Sequence, residues 1–143
     1  MMKTVDQLLE RKGRAIFSVT SRDVVYTAVE QMAEHGVGAL MVINDGQPVG
    51  IISERDYARG VILKGKSSKE TLVQEIMTRD IIYGSPSLRV DECMALMTSK
   101  RIRHLPIKSE AELIGVLSIG DLVKAVIAEQ KFMIEQLEIF IRN

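Results

Sequence analysis

Gly50-Ile51-Ile52-Ser53-Glu54-Arg55-Asp56 returns later in the chain as Gly115-Val116-Leu117-Ser118-Ile119-Gly120-Asp121. Gly, Ser and Asp recur at the same places, each 65 residues after its first copy. The register holds without a gap in both directions. Upstream, Val25 aligns with Val90, Met32 with Met97 and Leu40 with Leu105; downstream, Val61-Ile62 aligns with Val126-Ile127. Positions that differ keep their polarity, as Val42 with Ile107 and Val49 with Ile114. The chain is a tandem duplication, so its fold has to be built from two copies of one unit.

Each copy predicts the same run of elements. A short extended stretch (17–20, then 81–85) leads to a helix over 24–35 or 90–100. Their apolar residues recur at helical spacing: Val25, Ala28, Val29 and Met32 in the first, Val90, Cys93, Met94 and Met97 in the second. Asp91 and Glu92 suit the positive end of the second helix. An apolar strand over 39–43, the turn Asn44-Asp45-Gly46 and a strand over 48–53 give a strong hairpin signal. The second copy offers Leu105-Pro106-Ile107, a polar turn over 108–112 and a strand over 113–118. A helix then opens at each Asp, over 56–63 and 121–129.

The expected fold class is α+β (α/β-like), two tandem β-α-β-β-α repeats with a further helix at each end. The segments run as an N-terminal helix (1–15), a first repeat (16–64), a polar linker (65–75), a second repeat (76–128) and a C-terminal helix (129–143). Thr4-Val5-Asp6-Gln7 resembles a capping box ahead of Leu8-Leu9. Met133, Ile134, Leu137, Phe140 and Ile141 form an apolar stripe on the last helix, which either packs on its own domain or meets a second copy.

Composition narrows the function. The chain has 143 residues, 46% of them hydrophobic, enough for one domain or two small halves with a core. Nineteen Lys and Arg balance nineteen Asp and Glu, which argues against a broad basic face for nucleic acid or an anionic membrane. Cys93 is the only cysteine, so no intramolecular disulfide forms and a reducing compartment fits. Its apolar neighbours mark it as inert core. No apolar run approaches the ~20 residues of a membrane span, and residues 1–14 lack a signal-peptide core. The expected location is cytoplasmic.

The doubled Gly-hydrophobic-hydrophobic-Ser-x-x-Asp element resembles the signature of CBS motifs, named after cystathionine β-synthase. Val73-Gln74-Glu75-Ile76-Met77-Thr78 resembles the lead-in to such a motif, and Arg103-His104-Leu105-Pro106-Ile107 its central strand. The likeness spans residues 16–128. It implies a small stand-alone Bateman module, with two motifs about a pseudo-twofold axis, two clefts between them and frequent dimerisation into a disc. The ligands it implies are the adenine nucleotides AMP, ATP and NAD(H), or S-adenosylmethionine derivatives.

The residues suit such a ligand. An ionised carboxylate accepts from two neighbouring hydroxyls, so Asp56 and Asp121 are placed to hold a ribose diol. An Asp at a helix start is commonly just a cap; the matched Gly and Ser in both copies favour the ligand role, and the two can coexist. Ser53 and Ser118 stand three residues earlier, within reach of sugar or phosphate. Gly50 and Gly115 permit close backbone packing. Thr20 and Ser85 resemble the family's phosphate or ribose contacts, and backbone groups at Val19 and at Ile81 or Ile82 its adenine contacts. Gly38 and Ala39 in the first copy correspond to Arg103 and His104 in the second, ahead of Pro106; conversely Arg55 corresponds to Gly120. Arg55 and Arg103 suit a phosphate through their donor forks, though Arg103 reads equally as a surface residue.

A catalytic or metal role has little support. His35 and His104 belong to no triad pattern, the serines to no nucleophile elbow, and two histidines with one cysteine make no ligand set. No Gly-x-Gly-x-x-Gly follows a strand, so NAD would not bind in a Rossmann manner. The expected function is a non-catalytic regulatory module for energy sensing, whose nucleotide occupancy is read by an unidentified partner or by the state of a homodimer. The alternative is a dimerisation or partner-docking module with vestigial clefts.

Overall fold

The computed structural model describes residues 3–143; the first two residues of the expected 1–15 segment lie outside the described residues. The elements run α1 (Val5–Lys12), β1 (Ser18–Val19), α2 (Val25–His35), β2 (Ala39–Asn44), β3 (Gln47–Ser53), α3 (Glu54–Tyr57), α4 (Val73–Ile76), α5 (Val90–Lys100), β4 (His104–Ser109), β5 (Glu112–Ser118) and α6 (Ile119–Arg142). The chain divides into two units, Ile16–Ile81 and residues 3–15 with Ile82–Asn143.

In the first unit β1 lies parallel to β2, and β2 pairs antiparallel with β3. The hairpin turns at Asp45 and Gly46, with φ of 50° and 77°, the pair of left-handed residues that a two-residue turn of this kind needs. In the second unit β4 pairs with β5 in the same register, His104 opposite Ser118 as Ala39 is opposite Ser53. The two cores repeat at the interval of 65. Val25, Ala28, Met32, Leu40, Val42 and Ile52 are buried in one; Val90, Cys93, Met97, Leu105, Ile107 and Leu117 are buried in the other. The duplication in the sequence is a duplication of the core.

Each core takes a further helix. Val73 of α4 and Met77 after it complete the first; Val5, Leu8 and Leu9 of α1 complete the second. The two glycines of the repeated heptapeptide make room for them. A Cβ on Gly50 would stand 2.8 Å from Met77 Sδ and 2.9 Å from the Thr78 carbonyl oxygen; one on Gly115 would stand 2.7 Å from Leu9 Cδ2. The capping box expected at Thr4 is present, with Gln7 as its reciprocal partner.

Several expectations need correction. Neither Asp opens its helix: Ser53 and Ser118 are the N-caps, and each Asp lies at the third helical position. The serine takes the cap because its hydroxyl accepts from the aspartate backbone N–H while the carboxylate returns the contact, a reciprocal box that a lone Asp cannot make. The stretch 81–85 is not a strand. A single parallel bridge joins Gly84 to Ile107, and Pro86 two residues on has no N–H to extend the ladder. The helix expected over 56–63 is the single turn α3 followed by a π-helical turn, Ala58–Ile62. The polar turn after β4 narrows to Glu110 and Ala111, since the flanking strands reach Ser109 and Glu112. The segments given as 121–129 and 129–143 form one helix of 24 residues.

Candidate functional site

The site in each unit is assembled by a strand end and the helix that follows it. In the first unit the Ser53 backbone N–H donates to Asp56 Oδ2 (2.9 Å), Ser53 Oγ lies 3.0 Å from the same oxygen, and the Asp56 N–H donates to Ser53 Oγ (3.2 Å). The box consumes one carboxylate oxygen. Among the described residues Asp56 Oδ1 carries no hydrogen bond, so its lone pairs remain for two hydroxyls. The Glu54 N–H donates to the Gly38 carbonyl (3.0 Å), and Ala39 pairs with Ser53, so these expected residues do gather around the box.

Asp56 opens onto a cavity of about 460 Å³ whose other walls are Arg59, Gly60, Lys64, Lys66, Glu75 and Ile76. Lys66 Nζ is 4.0 Å from Glu75. Three cations and two carboxylates thus line one cavity, a set able to meet a phosphorylated ribose, and none of the three cations was singled out from the sequence. Their signal was present in part: Lys64 ends the first repeat and Lys66 lies in the polar linker that follows it. Gly38 also lines a second cavity, of about 390 Å³, with Met32, Val37, Glu54 and Tyr57.

The second unit repeats the arrangement with one difference. The Ser118 N–H donates to Asp121 Oδ2 (2.8 Å), the Asp121 N–H to Ser118 Oγ (3.2 Å), and the Ile119 N–H to the Arg103 carbonyl (2.9 Å). Here Lys12 of α1 reaches the site: its Nζ lies 2.7 Å from Asp121 Oδ2 and 2.6 Å from the Val116 carbonyl. Burial works to raise the Asp121 carboxyl, but hydrogen bonds from Lys12 and Ser118 outweigh it and hold the group below the ordinary carboxylate range. No sequence signal links residues more than a hundred positions apart, and Lys12 went unnoticed.

The remaining expected residues are less engaged. Val19 and Pro106 are buried, leaving only backbone to offer a ligand. Thr20 is exposed and its N–H is held by Asp23 (2.8 Å); Ser85 Oγ is 3.2 Å from Ser87 Oγ. Ile81 and Ile82 are half-buried, and Ile82 packs on the second core. Arg55 and Arg103 are exposed. Cys93 is buried, and burial pushes its thiol up to about 11.

Half-buried His104 begins β4 beside this site. Burial and the charge of Lys12 lower its pKa; Asp121 opposes them, and Arg103 adds to the lowering. The folded state thus favours the neutral ring, whereas the unfolded chain takes up a proton near the ordinary value of about 6.5. The contribution is fully present above that value and is lost as pH falls through the lower, folded one. Urea unfolding at pH 5 should therefore give a lower stability than at pH 7, and His104→Gln should flatten that interval. An unchanged slope in the variant would assign the dependence elsewhere.

The CBS domain matches residues 13–62 and 73–128. The chain belongs to the CBS-domain family and carries a pair of such motifs. A CBS domain-containing protein of Arabidopsis thaliana, CBSX3, described as mitochondrial, is 40% identical, over 98% of this chain and 72% of its own length. The solved structure of a putative signal-transduction protein with CBS domains from Burkholderia ambifaria is 53% identical, with a TM-score of 0.86, covering 90% of this chain and 96% of that one. The CBS domain pair of protein MJ0100, solved with 5'-methylthioadenosine and S-adenosyl-L-methionine, shares the fold at 21% identity, with a TM-score of 0.79 over 90% of this chain and 99% of that one. Among the described residues no helix is long and apolar enough to cross a membrane.

Proposed function

We propose that the chain is a non-catalytic regulatory module that binds an adenine nucleotide and passes its occupancy to a partner protein or to a homodimer of packed CBS modules. The observation that carries the reading is the free Oδ1 of Asp56 at the mouth of the cavity lined by Arg59, Lys64 and Lys66. Oδ1 accepts the two ribose hydroxyls, and the cations face the phosphates. Adenosine is the part shared by both ligands of the MJ0100 pair, and it carries that diol. Thr20 and backbone groups of Val19 complete the contacts on the first unit. A reducing, cytoplasmic setting suits the single buried Cys93.

The two sites are unequal in this reading. A diol arriving at Asp121 competes with the Lys12 ammonium, whereas one arriving at Asp56 meets no such rival. Calorimetric titration of ligand-stripped protein with AMP, ATP, NAD, NADH and S-adenosylmethionine is expected to give one principal site per chain for at least one of them. Lys12→Gln is expected to strengthen a second site. Absence of heat, together with no thermal stabilisation where a hundredfold excess over Kd would contribute ~2.7 kcal/mol, would overturn the proposal.

A further inference from the structure

Helix α1 and the segment that opens with α4 are two copies of one element, each set on an equivalent place of its own core. The Val73 N–H donates to the Asp23 carbonyl (2.8 Å) as the Val5 N–H donates to that of Leu88 (2.7 Å). Gln74 likewise donates to Ser21 and Asp6 to Pro86, both at 3.0 Å. Thr71 and Lys3 accept in turn from Val25 and Val90 (2.8 and 2.9 Å). The places on the cores keep the repeat interval of 65, and the two segments stand 68 positions apart. The match extends to Leu9 and Met77, which stand over Gly115 and Gly50.

Beyond that point the copies part. Met77 turns extended (φ −63°, ψ 152°), and Thr78 exchanges two backbone bonds of 2.9 Å with Ile51 on the edge of β3. Helix α1 instead continues to Lys12 and ends at Gly13, with φ of 105°. Glu10 is the counterpart of Thr78 and Val116 that of Ile51, yet no bridge joins them among the described residues. Lys12 stands in for it. Its Nζ donates to the Val116 carbonyl (2.6 Å), where the Thr78 N–H donates to that of Ile51, and the same ammonium lies 2.7 Å from Asp121 Oδ2.

The core does not hold the last turn of α1 in helical form. Leu9 is fully buried, but residues 10–15 are all exposed. The turn is kept by the Gly13 N–H bond to the Leu9 carbonyl (2.7 Å), by Lys12, and by Arg14, 2.8 Å from Asp6 and 2.6 Å from Glu10. Exposed ion pairs of this kind contribute little. The extended alternative has contacts of its own, since Glu10 would then satisfy both backbone groups of Val116 in an antiparallel pair. A segment with two such arrangements is one whose balance a ligand can shift.

We infer that the last turn of α1 is the gate of the second site. A nucleotide whose ribose takes Asp121 expels the Lys12 ammonium, residues 10–12 leave the helix, and Glu10 pairs with Val116 as Thr78 pairs with Ile51. The second site is thus held shut by the chain's own first helix, and its occupancy is converted into a change of backbone at 10–12. At the first site the corresponding segment is already extended, so Asp56 stays open. The trigger rests on the reading of Asp121 as a ribose acceptor; the two-state turn does not.

Nuclear magnetic resonance of the full-length chain tests both parts. Lys12→Gln with Arg14→Gln removes the charged contacts of the closed turn without any ligand. The Cα shifts of residues 10–12 should then move from helical to extended values. The Val116 amide should exchange roughly tenfold more slowly as the Glu10 carbonyl takes it up. Unchanged protection at Leu8 and Leu9 reports that the core is intact. Helical shifts at 10–12, or unstructured ones with Val116 exchanging as in the parent protein, would overturn the inference. In the parent, AMP should slow Val116 exchange in proportion to its occupancy of the Asp121 site. Perturbation at Asp121 with 10–12 still helical would also overturn it. If AMP perturbs neither Asp56 nor Asp121, the nucleotide reading falls, and the ligand-free variant alone decides the turn.

Discussion

Asp56→Asn is expected to weaken adenine-nucleotide binding by roughly ten- to a hundredfold while changing stability by no more than about 1 kcal/mol. The separation follows from how the two carboxylate oxygens are used. Oδ2 closes the capping box with Ser53, and an amide oxygen can take over that role. Oδ1 is the atom assigned to the ribose diol, and the substitution replaces it with an NH2 group that donates where the hydroxyls also donate. The ligand loses a charged acceptor, worth roughly 1.5–3 kcal/mol, and the helix keeps its cap. Asp121→Asn should have a smaller effect on the principal site, because the Asp121 carboxylate already serves Lys12. Calorimetry on both variants, with urea unfolding as a control, separates the outcomes. Wild-type affinity in Asp56→Asn would remove Asp56 from the site, and an equal loss in stability would reduce the carboxylate to a cap.

Much of the fold was legible because a duplication lets each half vouch for the other. Val25 alone is one apolar residue in a helical pattern; with Val90 at the same place in a second copy it becomes a core position, and both are fully buried. The hairpin was readable from Asn44-Asp45-Gly46 because left-handed backbone has a residue signature. What local sequence could not supply was anything set by contacts between distant segments. Ser53 and Asp56 were both singled out, yet which of them caps the helix depends on side-chain direction. Lys12 reaches Asp121 from α1, and no pattern along the chain links the two. Arg59, Lys64 and Lys66 were not singled out from the sequence, since their common cavity exists only after the chain turns from α3 toward α4. The stripe on α6 was visible as a stripe, but only exposure along its whole length argues against packing on its own unit.

The two glycines of the repeat should separate in a pair of double-mutant cycles, although they occupy equivalent places. Neither has a positive φ, so the backbone tolerates alanine and sterics alone decide. Gly115→Ala and Gly50→Ala should each cost about 1–3 kcal/mol through overpacking. The obstacles differ in kind. Around Gly115 the nearest atoms all belong to the Leu9 side chain, at 2.7, 3.1 and 3.5 Å. Leu9→Ala alone, at a fully buried position, should cost roughly 2–5 kcal/mol. Combined with Gly115→Ala it removes the obstacle, and the new methyl fills part of the hole. The double variant should therefore be less damaged than the two singles together, by an amount on the order of the Gly115→Ala penalty. Around Gly50 one obstacle is Met77, but another is the Thr78 carbonyl oxygen at 2.9 Å. That residue is fixed by two backbone hydrogen bonds to Ile51, both 2.9 Å, so Met77→Ala clears the side chain and leaves the carbonyl in place. Rescue at Gly50 should thus be less than half of that at Gly115. Urea unfolding of the six variants and the parent protein measures both couplings. Equal coupling energies would mean that the bridge between Ile51 and Thr78 yields as readily as a leucine side chain, and that the lead-in segment is held by its apolar contacts rather than by its backbone.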